Sequence, residues 1–426
     1  MKVLIAAPFA INTPHFETAL ELAQRHLDEG DEVIMLECDA HLFSCDANPN
    51  HGLHGCGPCI ARRRAGLRLL SAPIRTAPVY RLGSEDRQRL AGLKVDFTSA
   101  ESLKACVVDG FDIGYAALSS LISVRRSSTP ELAERRNARL LRRILVTAYA
   151  VFLSTHNYLR AENPDRVYVY NGRYAPTRAV LRACQQAGVE CMLHEVGSTL
   201  QHYALFRNRM PFELAHIEAL MRETWAQAPD SVERERVARG FFENQARGIV
   251  ESWFSYTADQ QADRLPEGWR PDRHNVAIFN SSEDEFAAYS DEWRSPLYES
   301  QLDGLQRLLK DLGGEAGLHL YLRVHPNLRN VKDGFTAGLE RLSAPNFTLI
   351  PAASKVSSYA LLQASDTVLT FGSQMGIEAT YWGKPSVLAG VSLYRNLGAT
   401  YNPASHAELV ELLRAKLAPK PVDGAL

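Results

Sequence analysis

The sequence of 426 residues lacks a long apolar run, a large net charge and a low-complexity tract. Its formal net charge of −2 provides no general field that would gather nucleic acid, so nucleic acid is not an expected partner. The most apolar helix candidate, residues 140–153, is interrupted by Arg142 and Arg143 and is shorter than the roughly 20 residues that cross a bilayer. With 46% hydrophobic and 23% charged residues, the composition is that of a soluble globular protein.

A signal-peptide pattern is also missing, because residues 1–7 form a short apolar run that leads directly into a folded pattern. We therefore expect a cytoplasmic protein, with peripheral attachment to the inner face of the cell membrane left open. Two basic clusters, residues 62–64 and 125–126, are interpreted either as solvated surface or as contacts to an anionic lipid surface or a phosphate-bearing acceptor.

The chain is long enough for two domains, since single cores stop growing near roughly 250 to 300 residues. A polar segment with Pro266, Gly268 and Pro271 predicts the boundary, giving an N-terminal domain over 1–270 and a C-terminal domain over 271–426. Short apolar runs that alternate with helical periodicity predict parallel strands with crossover helices in both. The predicted fold class is α/β, with two Rossmann-like doubly wound domains facing across a cleft.

Two interruptions mark the N-terminal domain. Residues 38–64 are rich in Cys, His, Asn, Pro and Gly and predict a loop, and residues 99–160 predict a helical insertion. The C-terminal domain alternates without interruption. Its predicted strands cover residues 275–279, 318–324, 347–350, 367–370 and 386–389.

Polar segments follow three of these C-terminal strands: residues 280–285, 325–327 and 371–374. Ligands bind at the carboxyl ends of strands in open parallel sheets, so these segments predict one ligand site. Ser373 precedes a predicted helix, where it caps the helix, contacts a phosphate, or both. His325 is either a turn histidine fixed by Pro326 or a phosphate ligand, and Glu378, one turn into the helix, is placed to reach ribose hydroxyls.

Strand ends of the N-terminal domain carry a second polar set, formed by Asn171, Arg173, His194 and Glu195. Glu195 is the candidate general base, because deprotonating an acceptor hydroxyl needs a carboxylate or imidazole within hydrogen-bond reach. Asn171, Arg173 and His194 are candidate acceptor-binding residues, with a buried salt bridge as the alternative for Arg173.

The second half resembles the capsule and surface polysaccharide biosynthesis glycosyltransferases of the GT-B fold. The residues that carry this resemblance are Phe279 with Ser281–Phe286, Arg323–Asn327, Thr370–Ser373, Gly376–Ala379 and Gly383–Pro385. The resemblance implies that a nucleotide-sugar donor is bound by Ser281, Ser282, Arg323, His325, Gly372, Ser373 and Glu378.

The His325–Pro326 pair with downstream Ser373 is also similar to the donor site of bacterial sialyltransferases and Kdo transferases, where such residues hold the phosphate of a CMP-sugar. This likeness implies catalytic roles for His325 and for Glu195, although the acidic pair usual in those families is here Glu195 alone. CMP is favoured, while Glu378 with Gly383 keeps UDP-sugars and GDP-sugars open.

Four cysteines lie within 22 positions of the Cys-rich loop, interleaved with histidines: Cys38, Cys45, Cys56 and Cys59. Four thiolates suffice for a zinc ion or an iron-sulfur cluster, but the spacing is not a common zinc-finger pattern. The alternatives are therefore a structural metal and free or redox thiols. Sugar transfer itself requires no cofactor.

The predicted function is transfer of a sugar from a nucleotide-sugar donor to a saccharide or lipid-linked saccharide acceptor in surface polysaccharide assembly. One alternative is a UDP-N-acetylhexosamine 2-epimerase, which uses a sugar nucleotide without a separate acceptor. The other is a non-catalytic polysaccharide-assembly protein.

Overall fold

A computed structural model describes residues 1–199, 201–249, 257 and 259–426. The chain divides into two compact units, each built around a mainly parallel sheet. Unit 1 comprises Met1–Glu213 with Asp284–Ser290, and unit 2 comprises Leu214–Glu283 with Asp291–Leu426. The predicted pair of α/β domains is therefore confirmed.

Unit 1 contains a six-stranded sheet covered by seven helices. The strands are β1 (Lys2–Ala7), β2 (Glu32–Glu37), β3 (Arg75–Pro78), β4 (Arg166–Tyr170), β5 (Glu190–Val196) and β6 (Tyr203–Arg207). The helices are α1 (His15–Asp28), α2 (Leu53–Leu67), α3 (Ser84–Ala91), α4 (Ala100–Lys104), α5 (Ile113–Arg125), α6 (Arg135–Glu162) and α7 (Ala175–Ala187).

The strand order in unit 1 is β3-β2-β1-β4-β5-β6, with β6 antiparallel to β5 and the other pairs parallel. The chain reverses its direction of winding between β1 and β4, which makes their carboxyl ends the topological switch point where such sheets bind ligands. Helices α4, α5 and α6 fall within residues 99–162, which agrees with the predicted helical insertion.

The Cys-rich segment is not the continuous loop that the sequence predicts, because α2 occupies Leu53–Leu67. This helix packs on α1: a Cβ added to Gly66 would lie 2.6 Å from the Leu20 side chain. Cys59 and Leu67 also pack against the core formed by β1, β2 and α1. Burial of this face stabilises a helix that Pro58 and several glycines disfavour locally.

Unit 2 contains a five-stranded sheet and the remaining helices. The strands are β7 (His274–Phe279), β8 (Leu318–Arg323), β9 (Phe347–Ile350), β10 (Thr367–Thr370) and β11 (Ser386–Leu388). The helices are α8 (Leu214–Gln227), α9 (Ser231–Ala246), α10 (Gln301–Leu312), α11 (Gly334–Glu340), α12 (Ser358–Ala364), α13 (Met375–Tyr381) and α14 (His406–Arg414). All five predicted strands are present.

The sheet of unit 2 is entirely parallel, in the order β11-β10-β7-β8-β9. Strands β8, β10 and β11 are buried along their whole length, as in a parallel sheet covered on both faces, while β9 at the sheet edge is partly exposed. The switch point lies between β7 and β10. Because β7 is hydrogen-bonded to both β8 and β10, the segments after these three strands start at the same level of the sheet.

The division between the units lies at Glu213–Leu214, whereas the sequence places the boundary at residues 270 and 271. Helices α8 and α9 belong to unit 2: Phe242 stacks on Tyr381 at 4.4 Å, and Arg222 donates a hydrogen bond of 2.7 Å to the Asn396 carbonyl. The segment with Pro266, Gly268 and Pro271 that predicts the boundary lies within unit 2, after these helices. Residues 250–256 and 258 of the predicted boundary segment lie outside the described residues.

A short segment after β7, Asp284–Ser290, belongs to unit 1 although the strands on either side of it belong to unit 2. Arginines of unit 1 hold it: Arg178 donates to the Tyr289 carbonyl at 3.1 Å, and Arg126 forms an ion pair of 2.8 Å with Asp284. The predicted donor domain over 271–426 is therefore interrupted at this segment.

Within the described part of the chain, no helix combines the length and the apolar character that a membrane span needs.

Candidate functional site

The carboxyl ends of β7, β8 and β10 carry the first polar set, here called the unit-2 edge: residues 280–283, 324–327 and 371–374. Asn280 lies at its centre and is buried. Its side-chain oxygen accepts a 2.9 Å hydrogen bond from the backbone N–H of His325. Strand β7 lies between the strands that end at His325 and at Ser373, so Asn280 and Ser281 lie between the two segments.

His325 is half-buried and held in one orientation by its own turn. Its Nδ1 accepts a hydrogen bond of 3.2 Å from the backbone N–H of Asn327. A neutral imidazole with an accepting Nδ1 carries its proton on Nε2. His325 therefore offers an N–H donor from the end of β8, as a phosphate ligand requires.

Ser281 and Ser282 occupy the segment after β7. The side chain of Gln301, at the start of α10, donates to the Ser281 hydroxyl at 3.0 Å and accepts from the Ser281 N–H at 2.9 Å. Ser282 is buried. The segment is thus fixed by an amide side chain, and Ser281 is shared between that amide and the edge.

Gly372 brings the β10 segment close to the rest of the edge. Its φ of +136° lies in a region that L side chains rarely adopt, and an added Cβ would lie 2.6 Å from the Val391 carbonyl oxygen and 3.7 Å from the Ser281 hydroxyl. The next residue, Ser373, accepts a hydrogen bond of 3.3 Å from the Met375 N–H through its hydroxyl. Ser373 thus keeps its predicted contact with the first turn of α13, although Gln374 is the residue directly before the helix.

Glu378 is buried beneath this segment rather than exposed on the helix surface. Its carboxylate accepts hydrogen bonds from the Tyr359 hydroxyl and, at 2.9 Å, from the Gln374 side chain. Burial raises the pKa of this carboxyl group. In this arrangement Glu378 orients Gln374, and a ribose would compete with both partners.

Arg323 is buried at the end of β8 and donates to the carbonyl oxygens of Pro351 at 2.6 Å and Ser354 at 3.1 Å. Burial, with a smaller contribution from Arg329, lowers the pKa of its guanidinium to about 10, so it stays charged at neutral pH. Among the described residues no carboxylate forms an ion pair with it. The unit-2 edge therefore has a buried positive charge two residues before His325, which favours an anionic ligand.

The second polar set, here called the unit-1 edge, follows β4 and β5. Glu195 is held by the Asn171 side chain, which donates to one carboxylate oxygen, and by the Val196 N–H, which donates to the other at 2.9 Å. Burial raises the pKa of Glu195. A carboxylate with fixed orientation and raised basicity suits a general base.

His194 and Arg173, the other candidate acceptor-binding residues, differ in their surroundings. His194 is buried, and burial with the neighbouring His15 lowers its pKa to about 3, so it is neutral. Arg173 donates to Ser119 at 3.2 Å and to the Glu285 carbonyl, and it lies over the Tyr174 ring at 4.9 Å. The guanidinium is engaged by neutral oxygens and an aromatic ring, so a buried salt bridge does not account for it.

Two further residues of the unit-1 edge are missed by the sequence-based argument. His15 stacks on Tyr170 at 3.7 Å, and burial lowers its pKa to about 4. Asp46 is hydrogen-bonded to Ser120, burial raises its pKa to about 6, and its other carboxylate oxygen has no partner among the described residues. His15 follows the β1 end at the switch point, which was a usable signal, whereas Asp46 is hidden within the Cys-rich segment.

The four cysteines proposed as metal ligands do not converge. Cys56 accepts a hydrogen bond from the Asn48 side chain at 3.1 Å, and Cys59 accepts one from the Ala10 N–H at 3.2 Å. Burial raises the pKa of the Cys45 thiol to about 12. Among the described residues, three potential metal-ligand side chains with their ligand atoms within 4.8 Å of one another occur at His26, Glu29 and Asp31, not at the cysteines.

Comparison with known proteins gives one match to a family model, over less than half of the chain. Residues 294–420 match the family model described as capsule polysaccharide biosynthesis protein. This span includes Arg323, His325, Ser373 and Glu378, so the predicted resemblance is confirmed over most of unit 2. No curated protein matches the chain.

Solved structures give weak likenesses over much of the chain. A KpsC beta Kdo 2,4 transferase of Thermosulfurimonas dismutans matches with a TM-score of 0.40 at 15% identity, over 62% of this chain and 78% of that one. A putative UDP-N-acetylglucosamine 2-epimerase of Listeria monocytogenes matches with a TM-score of 0.25 at 11% identity, over 100% of this chain and 93% of that one. The spinosyn rhamnosyltransferase SpnG matches with a TM-score of 0.28 at 13% identity, over 96% of this chain and 90% of that one. At such scores these likenesses assign no function.

Proposed function

We propose that the protein is a glycosyltransferase of capsule or surface polysaccharide assembly that binds a nucleotide-sugar donor at the unit-2 edge. The observation that carries this proposal is that His325 and the Gly372–Ser373 segment flank the β7 end at a sheet switch point, with His325 bonded to Asn280 and Gly372 close to Ser281. His325 and the Gly372–Ser373 segment lie within the part of the chain that matches the capsule polysaccharide family model.

At the unit-2 edge, the donor's phosphate becomes more negative as the bond from its oxygen to the anomeric carbon breaks. The Nε2–H of His325 and the Ser373 hydroxyl are hydrogen-bond donors for that oxygen, and the buried Arg323 contributes positive charge. These groups stabilise the leaving nucleotide, and His325 thereby acts in catalysis as well as in binding. Among nucleotides, CMP is the first candidate, with UDP and GDP next.

At the unit-1 edge, Glu195 serves as the base. As the acceptor oxygen bonds to the anomeric carbon, the acceptor hydroxyl proton moves to Glu195 and the electron pair of the broken bond stays on the donor phosphate. Asn171 fixes the carboxylate, and Arg173 with neutral His194 lines the acceptor position. The acceptor is a saccharide, free or lipid-linked.

Donor binding is the first test. Thermal unfolding of the full chain is measured with CMP, UDP, GDP and their sugars, because a ligand that binds only the folded state raises Tm. We expect one nucleotide class to raise Tm, and His325→Ala to abolish that rise. His54→Ala, which changes an exposed histidine of α2, is the matched control and keeps the rise. Failure of every nucleotide to bind contradicts the proposal and favours a non-catalytic assembly protein.

Turnover is the second test. The protein is incubated with the nucleotide-sugar that binds, labelled in the sugar, with and without oligosaccharide or lipid-linked acceptors. Transfer that needs an acceptor supports the proposal. Formation of an epimer without an acceptor overturns it in favour of a 2-epimerase.

A further inference from the structure

The first part of α6 presents five arginines on one face: Arg135, Arg136, Arg139, Arg142 and Arg143. Four of them are exposed and Arg143 is half-buried. At 3.6 residues per turn they fall within about 120° of the helix circumference. The opposite face is apolar and buried, through Leu140, Leu141, Ile144 and Leu145. We call the five residues the α6 arginine face.

None of the five forms an ion pair with a described residue. The basic clusters that stand out in the sequence behave differently: Arg62 pairs with Glu17, Arg63 with Glu37 at 2.9 Å, and Arg126 with Asp284 at 2.8 Å. Most of the charge of those clusters is therefore neutralised within the fold. The α6 arginine face keeps its charge exposed to solvent.

The stability of α6 does not explain this arrangement. Arg135 and Arg139 are four residues apart, as are Arg139 and Arg143, and like charges at that spacing repel. All five arginines lie in the first nine residues of the helix, near its positive end, and its first turn has no acidic residue. Repulsion between the arginines and the positive end of the helix dipole both oppose this arrangement. We therefore expect an anionic partner outside the chain to compensate for it.

An exposed aromatic ring borders the face. Arg143 donates a hydrogen bond of 2.8 Å from Nε to the Phe43 carbonyl, and the Phe43 ring is 44% exposed. Arg125, also exposed, joins the first turn of α6 through a 2.6 Å hydrogen bond to Asn137. Arginines beside an exposed aromatic residue are the composition of an interfacial membrane contact.

We propose that the α6 arginine face docks unit 1 on an anionic lipid bilayer. Guanidinium groups bind lipid phosphates bidentately, and the Phe43 ring is positioned to enter the headgroup region beside them. This surface goes beyond the proposed sugar transfer and is measurable without any donor or acceptor.

The test is flotation of the full chain with vesicles of phosphatidylcholine alone and of phosphatidylcholine with phosphatidylglycerol. The variant reverses three exposed arginines of the face, Arg136→Glu, Arg139→Glu and Arg142→Glu. The control makes the same charge change on α9 and the residue directly after it, with Arg236→Glu, Arg239→Glu and Arg247→Glu. These are solvent-facing arginines paired with neighbouring glutamates. Circular dichroism and thermal unfolding verify that both variants fold.

We expect binding to the anionic vesicles alone, weakened by salt. Each arginine near an anionic surface contributes about fivefold in affinity, so the α6 variant loses on the order of 100-fold or more, and the control loses far less. Equal loss in both variants, undiminished binding of the α6 variant, or no binding of the unaltered chain overturns the proposal. Binding of soluble polyphosphate without binding of the anionic vesicles also overturns the proposal.

Discussion

The two sheet edges have the same topology and different chemistry. Each lies where strands wind outward in opposite directions, between β1 and β4 in unit 1 and between β7 and β10 in unit 2. The unit-1 edge collects buried titratable groups whose pKa values are shifted, namely His15, Asp46, His194 and Glu195. The unit-2 edge consists of turns held by amides and glycine, above a buried guanidinium. One is suited to moving a proton and the other to holding an anion.

Among these substitutions, Glu195→Gln should reduce the transfer rate most, and it should do so without affecting the unit-2 edge. The amide keeps the size of the side chain but cannot accept the proton, so we expect kcat to fall by roughly 100-fold to 10,000-fold with nucleotide binding unchanged. Initial rates and thermal shifts measure the two quantities. If the variant loses nucleotide binding as well as rate, the assignment of proton transfer to the unit-1 edge and of nucleotide binding to the unit-2 edge is wrong.

The pH dependence of kcat/KM for the unaltered chain also tests the role of Glu195 as the base. Because burial raises the pKa of Glu195, the base stays protonated until the pH passes that raised value. We therefore expect kcat/KM to fall as the pH falls, with a midpoint above the value of about 4.3 that is ordinary for glutamate. A profile that stays flat into the ordinary glutamate range excludes Glu195 as the base.

Gly372→Ala should act on the unit-2 edge through its backbone. The added methyl meets the Val391 carbonyl at 2.6 Å with φ at +136°, so we expect a loss of about 1 to 3 kcal/mol in the free energy of unfolding and weaker nucleotide binding. Urea unfolding measures the first. Gly314→Ala, where an added Cβ has no neighbour within 4 Å, is the matched control. Equal effects at both glycines contradict the close approach.

Glu378→Gln tests whether the buried carboxyl group of unit 2, unlike Glu195 of unit 1, affects stability and not the reaction. Because the folded state raises the pKa of Glu378, the unfolded state ionises first and stability falls as the pH rises from the ordinary to the raised value. The amide removes this decline, and we expect a change of at most about 1 kcal/mol at neutral pH. Urea unfolding across pH is the measurement. An unaltered decline in the variant assigns the effect to another group.

Cys56→Ser should have the smallest effect. Its thiol accepts one hydrogen bond from Asn48, so we expect a change within about 0.5 kcal/mol and no shift of Tm with a chelator. Elemental analysis of the purified chain accompanies the unfolding measurement. Stoichiometric zinc or iron, with a large Tm loss on chelation, would establish the metal site that the four clustered cysteines suggest.

The sequence predicts unit 2 better than unit 1. The strands of unit 2 are short runs rich in apolar residues, and polar segments follow three of them, β7, β8 and β10, so the sequence pattern locates the site segments. In unit 1, α2 is missed because Pro58 and neighbouring glycines favour a loop until tertiary burial is counted. Strand β6 is missed because it lies at the sheet edge, with partly exposed residues of mixed character.

Residues brought together by tertiary structure escape the sequence-based argument. Asp46 becomes part of the unit-1 edge only because Ser120 of α5 lies beside it, and no local pattern links these positions. Arg142 and Arg143 are taken as interruptions of an apolar helix. Their role as part of a single charged face emerges once the exposed side of α6 is known.

The segment Asp284–Ser290 has a consequence for building chimeras. The chain passes from one unit to the other after residues 213, 283 and 290, so no single cut separates the halves. An N-terminal fragment ending at Glu213 would lose the Tyr289 carbonyl that Arg178 binds and the hydroxyl that accepts from the Phe212 N–H at 2.7 Å. A hybrid that exchanges donor specificity between relatives must therefore take both pieces of unit 1 from the same parent. These pieces are residues 1–213 and the seven residues 284–290, which the gene encodes apart from each other.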